Sequence, residues 1–312
     1  MTQDIYAVRE QSIRPSVVAL FPGALGDLLL VLPVLRALRA RHRRDHVTLV
    51  VNGWLVELAH LCAVSDAVAS LDRADAAMLF RDGPLPPWLP PGARVYSWLG
   101  ARDPELRRRL KVGSVAATLL RVERRLAGEH AASAYYLRAL AERPSRDELA
   151  RLAQVKVPVS PAAAVVVGQA KRPLLVLHTG AGSRRKRWAW EGFAAVANWW
   201  TGAGGAVVEL RGPAEVELPP LPGALAAEGW RLPDVLALLA DAAAYCGNDS
   251  GVSHLAGAAG AAGVVLFGPT LARSWRPLGR GLAVVQAAGL RLDELPVARV
   301  RRVLRPYLTL TR

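Results

Sequence analysis

Cysteine is scarce in this sequence of 312 residues: there are two, Cys62 and Cys246, with no C-x-x-C pair and no cluster of histidines. This pattern excludes a disulfide framework and a structural zinc site, and it fits a reducing compartment. An uninterrupted membrane span is also lacking, because the longest apolar stretch, residues 17–35, contains two prolines, two glycines and an aspartate. The apolar run before Pro22 is too short for a signal peptide, so we expect a cytosolic protein or one bound peripherally to a membrane.

Lysine is scarce as well: the sequence has four, so nearly all of its 40 basic residues are arginines. Against 26 acidic residues they give a formal net charge of +14, which favours an anionic partner such as a phosphate group, a nucleic acid or an acidic membrane surface. Nucleic acid is the least favoured of these, because the sequence has neither a recognition-helix motif nor aromatic residues interleaved with basic ones. With 52% hydrophobic and 21% charged residues, the chain is expected to bury a large core, which excludes intrinsic disorder.

Strand and helix patterns alternate along the chain in two consecutive groups, which predicts an α/β protein with parallel sheets. Residues 103–154 are predicted to be mostly helical, and residues 155–173, with three prolines and no clear amphipathic period, are predicted to be a linker. We place the two domains at residues 1–160 and 161–312, and the last helix could pack back on the first domain. The predicted strands are 16–21, 46–51, 67–71, 174–178, 206–210, 242–246 and 264–267, and the predicted helices are 27–41, 54–62, 190–200, 233–239 and 252–259.

Three strand-to-helix junctions are candidates for chemistry, because ligands of open parallel sheets bind at the carboxyl ends of the strands. At the first junction, Gly23 and Gly26 allow a tight turn and a close approach of the backbone to a ligand, and Asp27 falls at the start of a helix. Asp27 could be an N-cap that accepts backbone N–H bonds, or a carboxylate kept ionised by the helix dipole that acts as a general base. The two roles are compatible.

The second junction, residues 178–188, combines small residues with four consecutive cations at 184–187. Gly180, Gly182 and Ser183 would expose backbone amides beside this positive charge, which is how a phosphate or a pyrophosphate is bound. The glycine spacing matches neither a Walker A loop nor a G-x-G-x-x-G motif. The alternative interpretation is a solvated basic turn with tryptophans packed beneath it.

At the third junction, residues 247–255, Asp249 or Ser250 is predicted to cap a helix that begins near Gly251. The first amides of that helix would point toward an anion, although capping alone would also explain these residues. The apolar face of the same helix is formed by other positions, so we expect His254 to lie near the rim of the site.

Two weaker signals lie outside these junctions. Glu215 follows a predicted strand, and its carboxylate could accept the two hydroxyls of a ribose or lie in an exposed turn. A basic run between Arg102 and Arg125 includes Arg107 and Arg108. The simplest interpretation of such a run is a solvated helix face. The alternative is a surface that contacts an anionic acceptor or a membrane.

Taken together, the three junctions resemble glycosyltransferase family 9, the ADP-heptose:lipopolysaccharide heptosyltransferases. The stretch GALGDLLLVLPVLRALRARH resembles the opening motif of the family, HTGAGSRRKRWAWEGFAAVA its lysine and tryptophan motif, and GNDSGVSHLAGAAGAAGVVLFGPT its donor-phosphate motif. The order and spacing of the motifs also match, and they span both predicted domains. The resemblance implies a GT-B fold, in which two facing Rossmann-like domains bind the acceptor mainly with the first domain and the nucleotide sugar mainly with the second.

The resemblance also implies roles for individual residues. Asp27 would be the catalytic base that deprotonates the acceptor hydroxyl, and Lys186 would be a second catalytic residue that holds the donor phosphates. Glu215 would bind the ribose, and Trp230 would lie against the adenine. The full set expected to bind the donor is Gly26, Gly180, Gly182, Ser183, Lys186, Glu215, Trp230, Asp249, Ser250, Gly251 and His254, and the set expected to bind the acceptor is Gly23, Arg107 and Arg108.

The sequence contains no Asp-x-Asp pair, which many transferases use to hold a metal ion. Cations and amides would then stabilise the leaving group, so we expect neither a metal nor a cofactor. The expected activity is a metal-independent, inverting transfer of heptose from ADP-heptose to an anionic glycolipid or glycan such as a lipopolysaccharide core, in the cytoplasm or at the cytoplasmic face of the inner membrane. Two alternatives stay open: a GT-B transferase with another nucleotide sugar, and a nucleotide-binding relative without activity.

Overall fold

The computed structural model describes residues 15–120, 128–213, 215 and 217–309. Its first domain is built on a five-stranded sheet with the order β3-β2-β1-β4-β5, in which every pairing is parallel. The strands are β1 (Ser16–Leu20), β2 (His46–Val51), β3 (Ala67–Ser70), β4 (Ala93–Ser97) and β5 (Ser114–Leu119). The helices are α1 (Leu25–Arg41), α2 (Val56–Cys62), α3 (Pro104–Val112), α4 (Ala131–Leu140) and α5 (Arg146–Leu152).

The second domain is built on a six-stranded parallel sheet with the order β11-β10-β9-β6-β7-β8. Its strands are β6 (Leu174–His178), β7 (Ala206–Arg211), β8 (Leu225–Glu228), β9 (Ala244–Asn248), β10 (Gly263–Phe267) and β11 (Leu282–Gln286). Its helices are α6 (Pro161–Gln169), α7 (Trp190–Gly202), α8 (Leu232–Asp241), α9 (Gly251–Ala258), α10 (Ala272–Trp275) and α11 (Val297–Leu304). The prediction of an α/β protein with parallel sheets is confirmed.

Helix α1 connects the cores of the two domains. Ten of its residues are buried, and it packs against α4 of the first domain and α9 of the second. One apolar cluster therefore runs from β1 through α1 to α9 and β10. The inner strands are apolar along their whole length because helices cover both faces of each sheet, as burial of all five residues of β10 shows.

The strand register places the predicted junctions at the carboxyl edges of the two sheets. Leu20, the last residue of β1, is paired with Val50 of β2, and the chain then turns directly into α1. His178, the last residue of β6, is paired with Gly247, the penultimate residue of β9. The loops that follow β6 and β9 therefore leave the second sheet side by side.

Three parts of the fold differ from the predictions. Residues 103–154 include the edge strand β5, whose half-buried residues carry only a weak apolar signal. The predicted linker contains α6, which packs against α8. The last helix, α11, packs on α7, β10 and β11 rather than on the first domain, because Val300 and Leu304 insert into an apolar cluster of the second domain. Among the described residues, no helix combines the length and the apolar character needed to cross a membrane.

Candidate active site

A cleft of about 720 Å³ lies between the two domains and is lined by residues of both. The first domain contributes Gly26 at the start of α1 and Trp54 and Glu57 around the start of α2. The second domain contributes residues from the ends of β6, β7 and β9 and from the start of α8. The cleft therefore collects the strand-to-helix junctions of both sheets, where open α/β sheets bind their ligands.

The amino-terminal ends of α1 and α9 meet at the floor of this cleft. A side-chain carbon on Gly26 would lie 2.9 Å from Cδ2 of His254, and one on Gly251 would lie 2.9 Å from Cβ of Leu25. Both glycines are thus required for the close approach of the two helices. Two helix starts that converge in this way concentrate positive partial charge and free backbone N–H groups, which favours an anion.

Asp27 lies in the first turn of α1, next to this junction. The N-cap of α1 is Ala24 and the helix begins at Leu25, so the interpretation of Asp27 as an N-cap is wrong. Asp27 is close to Tyr135 of α4, since burial and then the charge of Asp27 raise the pKa of that phenol, whereas the charge of Arg138 lowers it. The carboxylate is therefore placed where α1 and α4 pack together beside the cleft.

Lys186 is held by Asp249 across the second junction. Its Nζ atom donates a hydrogen bond of 2.7 Å to Oδ2 of Asp249, and the hydroxyl of Thr270 donates to the same oxygen. The Asp249 side chain is only 6% exposed, and the Lys186 side chain is 31% exposed. An ammonium group has three donors, so Asp249 can hold Lys186 in place while the other two N–H groups face a ligand.

The other cations of the 184–187 run separate into two groups. Arg184 pairs with Glu217 at 2.9 Å, and both side chains are largely exposed. Arg185 is exposed as well. Arg187 is half-buried, and its positive charge adds to burial in lowering the pKa of His178 and opposes the burial that raises the pKa of Glu215. The solvated turn is thus the correct interpretation for Arg184 and Arg185, whereas Lys186 and Arg187 turn inward.

His178 and Glu215 form a buried pair in the wall of the cleft. Nε2 of His178 lies 3.4 Å from Oε1 of Glu215, and Nδ1 lies 3.3 Å from the hydroxyl of Ser250. Burial lowers the pKa of His178 to about 4, so the ring is neutral at neutral pH. Burial also raises the pKa of Glu215, although the N–H of Gly212 donates to its Oε2 at 2.6 Å and opposes that shift.

Oε1 of Glu215 is buried and has no hydrogen-bond partner among the described residues. A side-chain carbon on Gly180 would collide with this oxygen, so the glycine leaves it room. A buried acceptor without a donor is costly, and it becomes satisfied when a ligand supplies a hydroxyl. His178 carries no role predicted from the sequence, although it is the first residue of the second motif and ends a buried strand.

The start of α9 is capped by Ser250, whose hydroxyl accepts the N–H of Ser253 at 3.4 Å. This confirms one of the two predicted caps, and the Asp249 carboxylate binds Lys186 instead. His254 is 7% exposed, so its predicted place near a rim is wrong. The residue is buried because α1 covers the face of α9 that the sequence alone leaves open. Burial lowers the pKa of His254 to about 4, with the charge of Asp249 acting in the opposite direction.

Some of the other residues predicted to bind the donor line the cleft, and others do not. Gly182 and Trp230 line the cleft together with Gly26, Glu215, Ser250 and Gly251. Gly180 lies behind Glu215, and Ser183 is exposed on the turn that precedes Lys186. No group of three or more His, Cys, Asp or Glu side chains that could hold a metal ion occurs in the part of the chain that is described.

The residues predicted to bind the acceptor are not in the lining of this cleft. Gly23 lies behind Asp27, with a side-chain carbon 2.9 Å away from Cβ of that residue if one were added. Arg107 and Arg108 lie on α3, where Arg107 donates to the carbonyl of Ala101 and Arg108 pairs with Glu105. Three further arginines of the same basic run, Arg121, Arg124 and Arg125, lie outside the described residues.

Two features at the mouth of the cleft were not predicted from the sequence. Trp54 is 55% exposed and forms part of the wall contributed by the first domain. Glu57 and Arg231 form an ion pair of 3.5 Å that joins the two domains at the same cleft. Neither carries a local sequence signal, because their placement depends on how the two domains face each other.

Comparisons with known proteins agree with this architecture. Residues 144–290 match the model of glycosyltransferase family 9 (heptosyltransferase). This part of the chain is similar to that family. The matched residues include the second and third motifs, with Lys186, Glu215 and Asp249. The resemblance to the family is therefore confirmed, and so is the expectation of a glycosyltransferase.

Solved structures extend the likeness to both domains. A glycosyl transferase family 9 protein from Veillonella parvula is 18% identical with a TM-score of 0.71, and the match covers 94% of this chain and 97% of that one. The E. coli ADP-heptose lps heptosyltransferase II is 19% identical with a TM-score of 0.69, and the match covers 94% and 98% of the two chains.

The E. coli heptosyltransferase WaaC, in a structure with ADP, is 16% identical with a TM-score of 0.68, and the match covers 94% of this chain and 99% of that one. A comparison of the sequence with curated proteins gave no match. Together the structural matches confirm the predicted GT-B fold of two facing domains.

Proposed function

We propose that this protein transfers heptose from ADP-heptose to an anionic envelope glycan, such as a lipopolysaccharide core, without a metal ion and with inversion at the anomeric carbon. One observation carries the proposal: the start of α1, whose first turn contains Asp27, and the start of α9, which follows Asp249, meet at a single cleft between the domains. This meeting of the two helices supports a base for the acceptor in the first domain and a cationic site for the leaving group in the second.

The donor would lie along the second domain. Its diphosphate binds the free N–H groups at the start of α9, together with Lys186 and Arg187. The ribose hydroxyls donate to Oε1 of Glu215, the buried oxygen that lacks a donor among the described residues. The adenine packs on Trp230, which lines the same cleft. The solved structure of WaaC contains ADP, which supports ADP as the carrier of the sugar.

The reaction is a single displacement. Asp27 takes the proton of the acceptor hydroxyl, and the oxygen attacks the anomeric carbon from the face opposite the diphosphate. A new glycosidic C–O bond forms as the bond to the ADP oxygen breaks, and the electron pair leaves with ADP. Lys186 and the amides of α9 stabilise the negative charge that develops on this oxygen, a contribution of about 3 kcal/mol for each preorganised donor.

The absence of a metal requirement is part of the proposal and is tested directly. Turnover should persist in excess EDTA, because Lys186, Arg187 and the helix start supply the positive charge that a metal ion would otherwise supply. Loss of activity in EDTA that is restored by Mg²⁺ would contradict this.

The donor is identified by thermal shift and by product analysis. ADP should raise the Tm of the full chain and UDP should not, since only a bound nucleotide stabilises the folded state. Incubation with ADP-heptose and a lipopolysaccharide core acceptor that lacks heptose should then release ADP and give a product with the inverted anomeric configuration. Stabilisation by UDP instead would indicate another nucleotide sugar, and ADP binding without transfer would indicate a relative that has lost its chemistry.

A further inference from the structure

A second pocket lies between the two domains, outside the cleft described above. Its volume is about 360 Å³, and the side chains that line it include His130 and Ser133 at the start of α4, Arg146 at the start of α5, and Arg273 and Arg276 at α10. The first three belong to the first domain and the last two to the second. We name these five residues the arginine pocket.

The arginine pocket holds positive charge without a counter-charge. None of its three arginines forms an ion pair within the described residues, although Asp147, next to Arg146 in sequence, is paired with Arg280 at 3.1 Å. Nε of Arg276 is buried and has no hydrogen-bond partner in that same part of the chain. Burial and the charge of Arg146 both lower the pKa of Arg276, so these guanidinium groups repel each other. An anion between them would remove the repulsion and supply the missing acceptor.

The position of Arg276 is fixed by hydrogen bonds to both domains. Nε2 of His130 donates to the carbonyl oxygen of Arg276 at 2.9 Å, and Nδ1 accepts the N–H of Ala132 at 3.3 Å. Both ring nitrogens are therefore used, and burial lowers the pKa of His130, so this ring is neutral at neutral pH. The guanidinium of Arg276 also donates to the carbonyl of Leu282 at 3.1 Å. The charge of the pocket thus comes from Arg276, which is held in place, and from the exposed Arg146 and Arg273.

The arginine pocket lies beside the proposed reaction centre. Helix α4 runs from His130 at the pocket to Tyr135 beside Asp27, five residues or about 7.5 Å along the helix axis. On the side of the second domain, Thr270, which donates to Asp249, precedes α10 by two residues. A group bound in the pocket is therefore less than two helical turns along α4 from the residue that contacts Asp27.

We propose that the arginine pocket binds a phosphate group carried by the acceptor glycan, an inference that rests on the proposed function. Three guanidinium groups, one at α5 and two at α10, match the three terminal oxygens and the double charge of a phosphate monoester. A carboxylate, in contrast, is satisfied by one guanidinium fork. Because both domains contribute arginines, the bound phosphate would also bridge the domains and orient the acceptor toward the donor.

The test is isothermal titration of the full chain saturated with ADP, so that the donor cleft is filled. The probes are inorganic phosphate, glucose 6-phosphate and glucuronate. The variants are R146Q and R273Q, which change exposed side chains, and the matched control is R299Q, which removes one exposed arginine from α11. We expect glucose 6-phosphate to bind more tightly than inorganic phosphate or glucuronate, each pocket variant to weaken it about tenfold, and R299Q to leave it unchanged.

Three results would overturn the proposal. Equal binding by the pocket variants and the control would place the phosphate elsewhere. Tighter binding of inorganic phosphate than of glucose 6-phosphate would indicate a site for the free ion, and tighter binding of glucuronate would indicate a carboxylate site. A titration with ADP separates failure of the arginine pocket proposal from failure of the proposed function. ADP binding can persist when phosphate binding to the pocket is absent.

Discussion

Asp27 is placed to act as a base because it lies in the first turn of α1, where the helix dipole favours its ionised form. We expect Asp27→Ala to lower kcat at least about a hundredfold with little change in the KM for the donor, since a positioned base acts on the chemical step. Steady-state kinetics with ADP-heptose checks this. Activity of Asp27→Ala within a few-fold of the parent would contradict the assignment of the base.

Lys186 and its neighbour Arg185 form a matched pair for a second test. Lys186 is bonded to the buried Asp249, whereas Arg185 is exposed. Lys186→Ala should lower kcat/KM for the donor by about a hundredfold or more, because it removes a preorganised donor and leaves a buried carboxylate without its cation. Arg185→Ala should change it less than about threefold, since a solvated charge contributes little. Equal losses of kcat/KM in the two variants would show that total charge, and not the position of Lys186, determines activity.

At the scale of elements, the contact between α1 and α9 depends on glycine. A methyl group on Gly251 would lie 2.9 Å from Cβ of Leu25, so Gly251→Ala must push the two helix starts apart. We expect a loss of about 1–3 kcal/mol in stability, together with weaker ADP binding. Gly202→Ala at the end of α7 is the control, because nothing lies within 4 Å of the added carbon. Urea denaturation and ADP titration measure both effects, and a fully stable Gly251→Ala would contradict this account of the contact.

The elements that could be predicted from sequence are those whose signal is local. Buried strands such as β6 are continuous apolar runs, and Ser250 is a cap that follows a strand. Helix α6 was missed because it lacks an amphipathic period, although its Ser160 cap and the proline that follows are the usual signals of a helix start. His254 was misplaced because its burial depends on α1, which belongs to the other domain. The Glu57–Arg231 pair and the arginine pocket depend on the domain arrangement in the same way.

At the scale of the whole molecule, the apolar cluster that passes through α1 should make the two domains unfold together. Each domain carries one buried free cysteine, Cys62 in α2 and Cys246 in β9. Burial raises the pKa of Cys62 to about 12 and also raises that of Cys246, so neither forms the reactive thiolate in the folded protein. Under mildly alkaline conditions both should resist alkylation until urea unfolds the chain.

Peptide mass spectrometry after labelling over a urea series compares the two cysteines directly. We expect the urea midpoints for labelling of the two cysteines to coincide. Unfolding of one domain would expose the apolar side of α1 and so destabilise the other domain. A clearly lower midpoint for either cysteine would show that its domain unfolds independently.

The shared helix also limits how the protein can admit its substrates. A wide separation of the two domains would expose the apolar contact between α1 and α9 to water. The free-energy cost would be about 25 cal/mol for each Å² of apolar surface exposed. Small rotations of the domains that keep this contact intact cost less free energy. The cleft should therefore keep nearly the same width through a catalytic cycle. Entry would then be governed by the exposed Trp54 and the solvent-screened Glu57–Arg231 pair at its edge. Rotamer changes of such side chains take picoseconds to nanoseconds, far less than a hinge motion.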